Sequence, residues 1–444
     1  MTIFCTSFHP LISRNIFSAP FFSLLRATPN VRIVLIVQEN KKEFFDKYYA
    51  GNPVIIEGVK RKLDERDYLF KDFAAAAIRT RTRFLIRKMR LGYERWNAYK
   101  LFFWAPLARP IIPFLYSVLM PKNRYAFLFE KYNPDLVFAT DIFNPMDVIF
   151  MHEAKKRRIR TVGMVRSWDN LTAKGGFRVV PDTLVVQNEI IKKEAMSIHH
   201  VPKNKIRVVG IPHYDKYMEG PPISRASFLE KLKLPAESKF ILYAPVGNRF
   251  FTKNTFDREI IVILREMLPD GFFLIVRTPP GDPTNLDGVP TDPRIIINEP
   301  GTRFPWAGER KMDTEMSPED DDLLAATLSH TELLVSGFTT LVVDAARFGK
   351  PVIVIGFDAR TPIPHDESVL RQLEFDHFQP ILQSGGVQVV RNEAELQKVI
   401  REYIAHPERD KDTRHSMFLR QCFKEDGKSS ERLLQVILES NMPC

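Results

Sequence analysis

Short runs of apolar, mostly β-branched residues alternate with helical-period segments along most of the chain. In the first half, residues 2–6, 31–37 (VRIVLIV), 53–56, 135–139 (DLVFA), 161–165 (TVGMV), 183–186 and 206–209 read as strands. In the second half, residues 240–244, 272–276, 294–297, 333–335 and 352–355 do. The runs are continuously apolar rather than alternating, as expected of parallel strands covered on both faces. Strand and helix taking turns predicts an α/β architecture with parallel sheets.

Residues 333–358, LLVSGFTTLVVDAARFGKPVIVIGFD, show the unit most completely. A buried strand is broken by Ser336-Gly337. Thr339 or Thr340 can cap a helix bearing Leu341, Val342, Ala345 and Phe348 at helical spacing, and Gly349 stops it before a second buried strand. The free N–H groups of such a turn suit a phosphate, and Asp344, one turn in, suits a ribose hydroxyl. Spacing alone fits an ordinary capped helix better than a phosphate site. Similar turns follow the other strands: Gly247 and Asn248 after 240–244, and Arg277 after 272–276.

The first half opens with a Rossmann-like pattern that places His9, Arg14 and Asn15 between the first strand and its helix, predicted over 16–26, at the ligand edge of such sheets. Asp141 ends the 135–139 strand. Asn144-Pro145-Met146-Asp147 has the cap, N1 proline and acidic N3 of a helix start. The polar loop 166–176 holds Asp169 as a candidate general base and Asn170 and Lys174 as acceptor contacts, with Gly175 and Gly176 suited to an anion; an Asx turn with a glycine loop is the alternative. Residues 216–222 read as a hinge. The acidic run 313–322 reads as a helix start at Ser317-Pro318-Glu319-Asp320, so its Asp-x-Asp is not taken as a metal site.

Composition adds charge and scale. With 444 residues, 44% hydrophobic and 27% charged, two domains of ordinary size are expected. The net charge of +10 favours anionic partners. Eight Lys or Arg face one Glu, Glu94, in 79–104, within a helical insertion predicted over about 64–124. Interleaved with aromatics, they suit an anionic membrane surface; a solvated helix packing its aromatics inward is the bland alternative. The basic residues sit in one insertion and in no nucleic-acid-binding module, so no nucleic acid is expected. Three distant cysteines argue against a disulfide framework and fit a reducing cytoplasm. The apolar N-terminus lacks the basic region of a signal peptide, and no apolar run is long enough to span a bilayer.

The stretch Ser336-Gly337-Phe338-Thr339-Thr340, Asp344, Gly349-Lys350-Pro351-Val352 resembles the donor half of GT-B glycosyltransferases, above all CDP-glycerol glycerophosphotransferase-like and related bacterial surface-carbohydrate proteins. Val209-Gly210-Ile211-Pro212-His213-Tyr214-Asp215, Ile241-Leu242-Tyr243-Ala244-Pro245 and Asp426-Gly427-Lys428-Ser429-Ser430-Glu431-Arg432 resemble further segments of that group, in the same order. Where the group often has Lys-Pro-His-Pro, this chain has Arg277-Thr278-Pro279-Pro280, which keeps a cation and lacks the histidine.

The resemblance implies two Rossmann-like domains facing a central cleft: an acceptor domain over 1–216, a nucleotide-donor domain over 217–428, and a closing helix in 429–444 that packs back on the first. It implies transfer of a glycosyl or glycerophosphoryl group from a nucleotide-activated donor to a cell-envelope carbohydrate or lipid-linked acceptor. Asp169, with His9 in reserve, is the expected base. Gly247, Asn248, Arg277, Ser336, Gly337, Thr339, Thr340 and Asp344 are the expected donor contacts; Arg14, Asn15, Asp141, Asn170 and Lys174 are the acceptor contacts. No metal and no cofactor is expected, and the enzyme is placed in the cytoplasm or on the inner membrane face. The alternatives are a UDP-sugar 2-epimerase-like enzyme, whose His-Arg-Arg-Glu-Asn signature is absent, and a non-catalytic nucleotide-sugar-binding protein.

Overall fold

The structure, a computed structural model, describes residues 1–88, 108–248, 251, 254–282, 284–305, 312–364 and 368–439. The chain forms two compact units. The first comprises Met1–Met218, Phe304–Glu315 and Cys422–Cys444; the second comprises Glu219–Arg303 and Met316–Gln421. The boundary after Met218 falls inside the segment read as a hinge.

The first unit is built on β1 (Thr2–Ser7), β2 (Arg32–Gln38), β3 (Val54–Val59), β4 (Leu136–Ala139), β5 (Arg160–Met164), β6 (Thr183–Val186) and β7 (Ile206–Val208). Its sheet runs β3-β2-β1-β4-β5-β6-β7 with every pairing parallel. Successive residues of one strand enter different cores: Ile33, Leu35 and Val37 pack on one side and Val34 and Ile36 on the other. Burial on both faces is why these strands read as unbroken apolar runs.

The second unit holds β8 (Lys239–Ala244), β9 (Phe272–Arg277), β10 (Ile295–Asn298), β13 (Leu333–Ser336), β14 (Val352–Ile355) and β15 (Gln388–Val390). They form a parallel sheet in the order β10-β9-β8-β13-β14-β15. The expected strand–turn–helix–strand unit is present as β13, the Leu341–Arg347 helix and β14; Gly349 adopts φ +67°, a left-handed stop that suits glycine.

In the chain between β10 and β13, β11 (Thr302–Pro305) and β12 (Met312–Glu315) pair with each other. Phe304–Glu315 belongs to the first unit, where a buried charge cluster holds β12. Lys41 Nζ lies 2.6 Å from Asp313 and 2.7 Å from Glu315, and Ser13 Oγ donates to Glu315 at 2.8 Å. Burial pulls the Lys41 pKa down, and Glu315 and Asp313 more than reverse it, so the ammonium keeps its proton. The closing Ser429–Leu438 helix packs on the Pro20–Ala27 helix, and Asp215 accepts the Ser429 and Ser430 N–H groups at 3.2 and 2.6 Å. That contact gives the Gly-x-Pro-x-x-Asp and Asp-Gly-Lys-Ser-Ser segments a shared structural role.

Several expectations need correction. Residues 11–17 are already helical, with a π turn over Ser13–Phe17, so Arg14 and Asn15 lie on a helix turn and not a loop. Apolar Ile12 and Ile16, one turn apart and both buried, hold that turn inward. The polar loop 166–176 contains a short helix, Asn170–Ala173. Asp313 and Glu315 lie on β12, a strand the acidic run did not show, while the helix starts at Pro318 as expected, with Ser317 and Asp320 forming a capping box. The basic insertion is helical over Glu65–Ala76, 81–88 and Ala108–Leu119; residues 89–107, with Arg90, Arg95, Lys100 and the aromatics from Tyr99 to Trp104, lie outside the described residues.

Candidate functional site

In an open parallel sheet the loops leaving two neighbouring strands diverge where the strand order reverses, which opens a crevice at their carboxyl ends. Each unit has one such point, between β1 and β4 in the first and between β8 and β13 in the second.

At the β1/β4 end the polar groups bond to one another. Thr6 Oγ1 donates to Asp147 Oδ1 and receives the Thr140 N–H at 3.2 Å, while Thr140 Oγ1 donates to the Thr6 carbonyl at 2.7 Å. The Asp141 N–H also donates to Asp147 Oδ1, at 3.2 Å. Asp147 Oδ2 and Ser7 Oγ are buried and without a hydrogen-bond partner among the described residues. Burial, and then the neighbouring Asp141 charge, push the Asp147 carboxyl up to about 8, so it keeps its proton at neutral pH. Asp141 is 4% exposed and accepts from Arg166 Nε at 2.9 Å. A buried neutral acid thus lies beside an ion-paired carboxylate at the β1/β4 end.

The other first-unit candidates lie in the segments that follow β1 and β5. The Leu11 N–H donates to His9 Nδ1 at 3.2 Å, which leaves Nε2 to carry the ring proton in the neutral form. Arg14 donates to Asn15 Oδ1 at 3.0 Å and lies 3.1 Å from the His213 ring. Asp169 is half-buried and accepts from Asn170 Nδ2 at 3.0 Å; Asn170 is fully buried and also accepts the Ser167 N–H at 3.3 Å. Lys174 is exposed. The glycines beside it pack rather than cradle an anion. Gly176 gives its N–H to the Ala74 carbonyl at 2.8 Å, and a Cβ at Gly175 would sit 2.7 Å from the Ala75 backbone.

At the β8/β13 end three loops converge. A Cβ on Gly337 would come within 2.5 Å of Val246, and one on Gly247 within 2.5 Å of Asp282 and 3.3 Å of Pro279. Gly247 also has φ +84°, so both its backbone and its surroundings require glycine. Asp257, buried beneath the first loop, fixes it: its carboxylate accepts from the Val246 and Gly247 N–H groups, both at 2.9 Å, from Tyr243 Oη at 2.6 Å and from Asn254 at 2.7 Å. The Asn248 N–H donates to Asp282 at 3.1 Å, and its side-chain oxygen accepts from the Asn285 N–H at 3.1 Å. Arg277 ends β9 in a buried position and donates to the Asn298 side chain opposite it.

In the β13 loop, the Ser336 hydroxyl is buried and donates to the Gly337 carbonyl at 3.2 Å. Thr339 Oγ1 accepts the Leu341 N–H at 3.3 Å, Thr340 is exposed, and Asp344 is buried in the helix at 2% exposure. Thr339 rather than Thr340 therefore makes the capping bond.

Sequence reasoning missed the buried acids behind both edges, Asp147 and Asp257, and the Thr6–Ser7 hydroxyls. Asp147 showed only its helix-start position, and the apolar β8 run before an Asn-x-x-Asp step gave the faint signal for Asp257.

No family model and no curated protein matches the chain. Solved structures do match over the whole length. UDP-GlcNAc 2-epimerase from Neisseria meningitidis, bound to UDP-GlcNAc, has a TM-score of 0.54 at 14% identity, covering 99% of this chain and 100% of that one. The Methanocaldococcus jannaschii UDP-GlcNAc 2-epimerase, in complex with UDP-GlcNAc and UDP, gives 0.54 at 14%, covering 98% and 99%. A variant of the wall teichoic acid polymerase TagF gives 0.55 at 12%, covering 98% and 88%. The two parallel-sheet α/β domains are those of the GT-B fold.

Proposed function

We propose that the protein is a transferase that takes a glycosyl or glycerophosphoryl group from a nucleotide-activated donor and passes it to a cell-envelope carbohydrate or lipid-linked acceptor. The observation that carries this reading is the convergence of three loops, two of them pinned by close-packed glycines, at the switch point of the second unit. The glycines there let the three loops close on one another, and Arg277 supplies the cation for a diphosphate. Solved structures of the same fold are described with UDP and UDP-GlcNAc bound.

In this reading Arg277, Thr339, Thr340 and the backbone about Gly247 and Gly337 receive the charge that builds on the leaving phosphate. Asp169, or His9, takes the proton of the acceptor hydroxyl. Asp141 and Asp147 set the charge of the acceptor edge. No metal is assigned a step: Asp320 of the Asp-x-Asp is spent in a capping box, and turnover is expected to survive EDTA.

The test is product identification by ³¹P NMR after incubation with CDP-, UDP-, GDP- and CMP-linked donors and a polyol or glycan acceptor. Transfer releases free nucleotide together with a new glycosidic or phosphodiester linkage. An intact nucleotide sugar inverted at C2 would establish the epimerase instead, and unchanged donor that still raises the melting temperature would establish a binding protein.

A further inference from the structure

The Ala108–Leu119 helix is apolar on two opposite sides. Ile112, Tyr116 and, just beyond its end, Met120 form a buried row. That row is anchored: Tyr116 packs edge-on against Phe70 with centroids 5.3 Å apart, and its hydroxyl lies 3.4 Å from Asp67. The opposite side carries Ile111, Phe114, Leu115, Val118 and Leu119, all exposed, with Phe114 at 66% and Val118 at 54%. On the neighbouring Glu65–Ala76 helix, Tyr68 and Leu69 are exposed as well. A helix apolar all round is ordinarily buried all round, and one large apolar stripe left outside marks an interaction surface.

The charge around it selects the partner. Residues 64–88 and 108–129 contain ten Lys or Arg against four Asp or Glu, and one of those acids, Asp67, is spent on the buried Arg124 at 2.6 Å. Arg79, Arg81 and Lys122 are exposed. Arg109, in the first turn of the apolar helix, bonds to the Ile198 carbonyl and the His200 ring; no carboxylate among the described residues pairs with it. Burial and the nearby Arg79 charge hold its pKa down, so two cations stand close together at the head of the stripe. A second copy docking face to face would oppose like charges across the contact, whereas an anionic bilayer would neutralise them while its acyl region takes the stripe.

We infer that this face docks the protein on an anionic lipid bilayer, with Phe114, Val118 and Leu119 entering the headgroup–acyl boundary and Arg79, Arg81, Arg109 and Lys122 contacting lipid phosphates. The inference stands apart from the transfer reaction, and its test measures no turnover. It also moves the membrane contact away from Arg83 and Arg87, which are buried.

The experiment is co-sedimentation of the full-length protein with phosphatidylcholine vesicles with and without phosphatidylglycerol, at low and high salt, beside sedimentation velocity without lipid. Binding is expected to require phosphatidylglycerol and to weaken with salt. Phe114→Ser with Val118→Ser should lower the partition coefficient about tenfold or more, and Arg79→Glu with Lys122→Glu should remove the phosphatidylglycerol dependence. These positions are exposed, so circular dichroism and melting temperature should match wild type. Wild type that ignores phosphatidylglycerol vesicles at low salt, or serine variants that bind like wild type, would overturn the inference. A lipid-free dimer dissolved by the serine substitutions would overturn it too, assigning the stripe to a second copy.

Discussion

Asp147 sits at a helix start, where an ionised carboxylate is favoured, and is nevertheless driven towards its neutral form. Burial and the Asp141 charge outweigh the Thr6 and backbone hydrogen bonds. The native state therefore holds a proton up to about pH 8, whereas an unfolded aspartate releases it near ~3.9. The native form binds more protons in that window, so stability falls as pH rises through it, by up to about 1.4 kcal/mol per unit. Asp147→Asn keeps the acceptor for Thr6 and Asp141 and should flatten this slope, read by urea denaturation at pH 5 and pH 8; parallel wild-type and variant slopes would refute the assignment. Gly247→Ala places a methyl against Asp282 at a positive φ, and a loss of about 1–3 kcal/mol is expected in the same assay. Gly247 was legible because a glycine after a buried strand is conspicuous. Asp257, which fixes it, was not, because its partners are backbone N–H groups of a loop whose shape no local pattern encodes.

Among elements, the acidic run 313–322 shows what local pattern can and cannot carry. Its helix start at Ser317 was correctly readable, since a capping box is a contact between residues three apart. The strand before it was not. Asp313 and Glu315 are turned inward by Lys41, a partner over 270 positions away, and charged residues give no buried-strand signal. Lys41→Met leaves Glu315 buried without its counter-ion and should cost about 3–5 kcal/mol, whereas Lys41→Met combined with Asp313→Leu and Glu315→Leu should recover most of that. Thermal melts of the two variants provide the comparison, and equal losses would show that the cluster acts through packing alone. The raised Lys41 pKa keeps the ammonium's own share until pH rises above ~10.5, whereas burial pushes Glu315 up to about 7, so the cluster's contribution changes as pH passes through neutrality.

For the whole molecule, the continuously apolar strands made the class of fold plain, because parallel strands buried on both faces leave a mark in the sequence itself. Strand order left no such mark. The reversals between β1 and β4 and between β8 and β13, which put His9, Asp141, Gly247, Arg277 and Gly337 at carboxyl ends beside a crevice, arise from crossover connections. The short edge strand β15, with Gln388 among its three residues, was too polar to be recognised. The strand-end positions of Asn248, Arg277 and Ser336 were readable from the sequence. Their convergence was not, since it depends on loops drawn together by Asp257, Asp282 and Asn298.

The central claim is that the β8/β13 edge binds a nucleotide diphosphate, and isothermal titration of UDP, CDP and GDP tests it most directly. At least one nucleotide should bind wild type, and Arg277→Met together with Gly247→Ala should weaken that binding by about tenfold or more, as expected for a lost charge-assisted contact of roughly 1.5–3 kcal/mol. Affinity unchanged in a folded double variant, or no binding of any of the three nucleotides to wild type, would contradict it.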